Sequence, residues 1–105
     1  MPDTKESVEE RFAIPIGGCL NDGRRFHVVP AHVGPLLRWE VYAERGILYG
    51  KFEHWINQSV NGLALYAFDG TPLRGFCTSF SDVIYYLDMY YDSATVPKPG
   101  EGVSA

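Results

Sequence analysis

The sequence predicts an α+β fold: a single small domain in which an antiparallel sheet of about five strands, built from hairpins, carries one C-terminal helix packed on a face. Three observations predict it. The segment LRWEVYAE alternates with a period of two, so Trp39, Val41 and Ala43 face one way while Arg38, Glu40, Tyr42 and Glu44 face the other. Turn chemistry recurs at Asn21-Asp22-Gly23, Arg45-Gly46 and Asp69-Gly70. Connections that short join antiparallel neighbours, since parallel strands need long crossovers. Near the C-terminus, Phe80, Val83, Ile84, Leu87 and Tyr91 recur at helical spacing as one apolar stripe. A sheet and a helix each have one apolar side, and packing them together buries both.

Taken in order, residues 1–10 form an acidic segment expected to be flexible, with a capping-box pattern at Ser7-Val8-Glu9-Glu10 that allows a helix turn. The domain is expected over 11–92. RFAIPIGGCL and RRFHVV, joined by Asn21-Asp22-Gly23, read as a hairpin whose first strand lies on an edge, because Pro15 cannot donate to a ladder. PAHVGP is a connector. LRWEVYAE and ILYGKFE form the second hairpin through Arg45-Gly46, and HWINQSVNG is either a strand extension or a helical turn. GLALYAF is a strand that turns at Asp69-Gly70 into TPLRGFCT, where Pro72 again marks an edge. Residues 93–105, SATVPKPGEGVSA, have little to bury and are expected to be a disordered tail.

The segment DVIYYLDMYYD, residues 82–92, also alternates as a strand would. Helix is favoured by its length, by an N-cap at Ser79 or Ser81, and by Asp82 at the positive end of the helix dipole. With the core stripe facing inward, Tyr85, Tyr86 and Met89 fall on the far side, flanked by Asp82 and Asp92, with Asp88 and Tyr90 at the margins. An ordinary outer face would carry Lys, Glu, Gln or Ala. Tyrosine and methionine ringed by carboxylates instead match the anatomy of a protein interface.

Composition narrows the function classes. The chain has 105 residues, 46% of them hydrophobic and 21% charged, which suits one globular domain. The net charge is −4 and no basic cluster exceeds Arg24-Arg25, which argues against nucleic-acid binding. There is no apolar run of membrane-spanning length and no secretory signal pattern at the N-terminus, so a cytoplasmic protein is expected. Cys19 and Cys77 are too few for a disulfide framework. His27, His32 and His54 match no zinc spacing, and no metal or cofactor is expected. PIGGCLNDG lacks the Lys-Ser/Thr of a phosphate-binding loop.

The leading expectation is a small soluble, non-enzymatic binding or regulatory protein acting through protein contact, as a homodimer or as an inhibitor or adaptor of a larger assembly. Its contact residues would be Tyr85, Tyr86, Met89, Asp82 and Asp92. A second expectation is a small-molecule module with an aromatic pocket between sheet and helix, formed by Trp39, Trp55 and Tyr91. A third is a small hydrolase built on a Cys77–His54 pair, which requires the fold to bring the two within hydrogen-bond reach.

Overall fold

The computed structural model describes residues 4–20, 23–58 and 60–93. Over these the chain forms a helix α1 (Lys5–Arg11), then six strands, β1 (Gly17–Cys19), β2 (Arg25–Pro30), β3 (Arg38–Ala43), β4 (Ile47–Asn57), β5 (Val60–Ala67) and β6 (Pro72–Cys77), and a C-terminal helix α2 (Phe80–Ser93). The strands make one antiparallel sheet in sequential order, β1 to β6. The expected hairpins are therefore present, and HWIN is a strand extension rather than a helical turn.

The turns follow from the residues named for them. Gly70 adopts φ +90°, its N–H donates to the Ala67 carbonyl at 3.0 Å, and Asp69 accepts from the Thr71 N–H at 3.0 Å. Gly23 sits at φ +89° with its N–H on the Leu20 carbonyl at 3.0 Å. Asn21 and Asp22 of the same turn lie outside the described residues.

Alternation on β3 is as expected. Trp39, Val41 and Ala43 are buried on the helix side, with Trp39 stacked on Phe52 of β4. The opposite face carries Arg38 on Glu53 at 2.7 Å, the Tyr42 hydroxyl donating to Glu40 at 2.8 Å, and His27 stacked on Tyr42. The ion pair bridges β3 and β4 while the hydroxyl pair runs along β3, and both lie on the side away from the helix, which is how an antiparallel sheet leaves one face uncovered.

Two features of β4 seat α2. The β3–β4 register pairs Val41 with Gly50 but Tyr42 with Leu48, so Tyr49 is an extra, bulged residue. Its ring is fully buried, and its hydroxyl donates to Asp88 of α2. The next residue, Gly50, lets the helix come close, because a Cβ there would stand 2.6 Å from Leu87 Cδ2 and 3.1 Å from the Tyr66 carbonyl. Tyr91, one turn after Leu87, donates its hydroxyl to the Tyr49 carbonyl and accepts the Phe68 N–H at 3.3 Å.

The N-terminal expectation is corrected. Residues 5–11 form α1, with Thr4 rather than Ser7 as N-cap and Ser7 as the reciprocating partner three residues on. The segment folds because Val8 and Phe12, four apart on one helix side, are buried in the common core. Glu9 accepts the Trp39 indole N–H at 2.9 Å. The first strand is correspondingly only Gly17–Cys19, since residues 11–16 finish the helix and lead away from it. Residues 1–3 and the expected tail from 94 onward lie outside the described residues.

The end of α1 yields a test. Ala13 takes φ +56°, with its N–H on the Glu10 carbonyl and the Ile14 N–H on the Glu9 carbonyl at 2.9 Å, the pattern that normally places glycine at this position. We expect Ala13→Gly to stabilise the fold by about 1 kcal/mol by relieving a left-handed Cβ. Gly50→Ala should cost about 1–3 kcal/mol by overpacking against Leu87. Urea unfolding midpoints check both, and a neutral Gly50→Ala would contradict the close seating of α2.

Candidate interaction surface

The rotation of α2 about its own axis decides what it shows to solvent. Phe80, Val83, Leu87 and Tyr91 are buried, as the apolar stripe predicts. Asp88, expected at the margin, is also buried, at 4% exposure, because it meets the bulged Tyr49. This tilts the buried sector toward Asp88 and leaves Tyr85 at 58% and Met89 at 45% exposure, one turn apart on the outside.

The other three expected contact residues have different surroundings. Tyr86 is half-buried, packed against the core, with its ring under the Arg74 guanidinium of β6 at 4.5 Å. It supports Tyr85, whose ring meets it edge-on at 5.1 Å, and this corrects its placement on the outer face. Asp82 accepts the Thr78 N–H at 3.1 Å and the Thr78 hydroxyl at 2.8 Å, so its carboxylate closes the entry to α2 while remaining partly exposed. Asp92 lies in the last turn, and its side chain is outside the described residues. The helix as a whole has three aspartates and no lysine or arginine.

The aromatic pocket expected from Trp39, Trp55 and Tyr91 does not form. Trp39 is fully buried between α1 and Phe52, and Tyr91 is buried against Tyr49. Trp55 is on the opposite face of the sheet, edge-on to Phe76 at 5.8 Å. Alternation explains the split: Phe52 and His54 share the helix side of β4, so the odd-numbered Trp55 turns away. What Trp55 does line is an open depression of about 400 Å³ with Gln58, Val60 and Phe76.

Cys77 and His54 are likewise not brought together. His54 pairs with Leu63, and Leu63 with Cys77, so a whole strand separates them, roughly 10 Å at two strand spacings. The His54 Nε2 contacts Asn61 at 3.0 Å, and the Cys77 thiol is fully buried. Burial, with the Asp82 charge adding to it, pushes that thiol up to about 11, away from the thiolate a nucleophile needs. Cys19 is exposed on β1. Among the described residues, no three His, Cys, Asp or Glu gather as metal ligands, and no helix is long and apolar enough to cross a membrane.

Comparison of the chain with protein-family models, curated proteins and solved structures returned no match. The surface therefore rests on its own geometry.

Sequence reasoning missed Asp88, because helical phase alone places it at the margin and the Tyr49 bulge that receives it leaves no local signature. It also missed the grouping of Trp55, Val60 and Phe76. One signal was readable for that group: positions 54–68 contain no Asp, Glu, Lys or Arg.

The buried phenols and thiol set a pH dependence. Burial raises Tyr91 from its ordinary 10.0 to about 12 and Cys77 from 9.0 to about 11, and Tyr49 is raised further by burial and by its bond to Asp88. The fold favours the protonated form of each. That stabilisation is complete below the unfolded values and is lost as pH rises through the folded ones. We expect the urea midpoint to fall steadily from about pH 9 to about pH 12. A level midpoint over that range would contradict the burial of these groups. Tyr49→Phe removes the phenol donor from a buried carboxylate and should cost about 1–3 kcal/mol at neutral pH. Retention of wild-type stability in that variant would dismiss the Tyr49–Asp88 bond as a tie between β4 and α2.

Proposed function

We propose that the chain is a small, non-enzymatic protein-binding module that acts through the exposed side of α2, as an inhibitor or adaptor of a larger assembly. The observation that carries this reading is the pair Tyr85 and Met89, exposed one turn apart on a helix with aspartates and no cation. Tyr and Met are enriched in interface cores, and Tyr86 beneath Arg74 holds the Tyr85 ring from behind. Covering Tyr85 and Met89 contributes on the order of 2–3 kcal/mol before association costs.

Charge favours a different protein over a second copy. Antiparallel packing of α2 on its own copy would set residue 85 against 89, and by the same register 82 against 92, both aspartates. Like charges across a contact are unfavourable, so the complementary surface is apolar with a basic rim.

The test is a Tyr85→Lys/Met89→Lys double variant. Circular dichroism should be unchanged, because both side chains point to solvent. Binding to a partner recovered by wild-type pull-down should weaken at least tenfold, and wild-type binding should itself weaken as salt rises. Equal partner recovery by the double variant, with unchanged solution mass by light scattering, would remove α2 from the contact.

A further inference from the structure

Helix α1 is held to the core by contacts remote in sequence. Glu9 accepts the indole N–H of Trp39, 30 positions on. The Phe12 carbonyl accepts the Phe80 N–H at 2.8 Å, and the Phe12 ring lies 6.0 Å from that of His54. Val8 and Phe12 are buried in the common core. None of these contacts depends on α1 and the sheet belonging to the same chain.

The link from α1 to β1 is short and fixed at both ends. On one side Phe12 is anchored in the core. On the other, the Ile16 carbonyl accepts the Val28 N–H at 2.7 Å, and Gly17 lies so near β2 that a Cβ would stand 2.7 Å from the Phe26 carbonyl. Between these anchors lie Ala13, Ile14 and Pro15. To fold back on its own chain the link holds Ala13 at φ +56°, a conformation unfavourable for any residue with a Cβ. Pro15 biases Ile14 toward an extended backbone, so it too works against reversal. Ile16, at the mouth of the link, is 89% exposed. A short hinge under strain invites exchange of the element it carries, because straightening it relieves the strain while that element makes the same contacts in another copy.

We infer that α1 exchanges between two copies of the chain, each copy's Val8, Glu9 and Phe12 docking on the other's core. Ala13 becomes extended, and the two straightened hinges run antiparallel so that each covers the other's Ile16. The occupant follows from the site, which takes a helix with two apolar residues four apart and a carboxylate beside them for the Trp39 indole. The chain carries that helix itself. Exchange also removes the need for a new interface of standard size, since the contacts of α1 are rebuilt unchanged in each copy and only the hinge contact is added. The resulting dimer is weak and depends on concentration. It uses neither Tyr85 nor Met89, so it is separate from the contact proposed for α2.

The test uses the full chain. Light scattering should show the dimer fraction rising between about 10 µM and about 1 mM. In an equilibrated mixture of isotope-labelled and unlabelled chains at the upper concentration, isotope-filtered NMR should place Glu9 and Phe12 protons of one chain beside the Trp39 indole and His54 ring of the other. Ala13→Gly relieves the left-handed Cβ in both closed monomers and should weaken the dimer about thirtyfold. Ile16→Lys, at the surface of the monomer, should weaken it at least tenfold with an unchanged circular dichroism spectrum. Tyr85→Lys/Met89→Lys should leave the dimer as it is, which separates this contact from that of α2. Three results would overturn the inference: a monomer throughout the concentration range; a dimer in which those proton contacts all lie within single chains, which assigns it to pairing of unopened surfaces; or a dimer whose dissociation constant ignores Ala13→Gly.

Discussion

The seating of α2 on β4 governs the rest of the molecule. One extra residue, Tyr49, turns a phenol toward the helix, and the next, Gly50, has no side chain to hold the helix away. The first supplies a hydrogen bond to Asp88 and the second a bed for Leu87, so both the distance and the rotation of the helix are specified. Rotation by one position would bring Met89 or Tyr85 toward the sheet and expose Asp88. The outer surface of α2 is thus a consequence of chemistry on its inner side.

Much of the fold was legible because its signals are local. LRWEVYAE states its own faces by alternation, and Asp69-Gly70 states its own turn. Helix α2 was read from a stripe of five residues, each of which is buried or half-buried. The misreadings came from contacts distant in sequence. The segment before residue 11 looks polar, and only the sheet it lies on makes Val8 and Phe12 a helix face. Asp88 looks like a solvated acid until a phenol 39 residues earlier is set beside it. Tyr86 looked exposed by phase, but Arg74 from β6 reaches across its ring.

The pocket expectation failed for a simpler reason. Aromatic residues in a sheet are sorted by odd and even position before they can gather, and Trp55 differs in parity from Phe52 and His54. Aromatic content alone therefore does not make a cavity. In this chain it makes a stacked core around Trp39 and Phe52 on one side and an open patch at Trp55 and Phe76 on the other. Charge is sorted as well, with paired ions on the open face, acids along α2 and none on the β4–β5 tip.

The sequential strand order has a kinetic side. Every ladder joins strands adjacent in the chain, so each closes a short loop, and domains rich in such contacts fold quickly for their size. The helices close longer loops: α2 reaches Tyr49 from Asp88 across 39 positions, and the Phe80 N–H reaches the Phe12 carbonyl, just past α1, at 2.8 Å. That last contact joins residues 68 positions apart, 12 and 80, and becomes favourable only after the meander between them exists. Loop closure therefore favours a late arrival and an early release of the N-terminal helix, whose amide protons should exchange through local opening before those of β3 to β5.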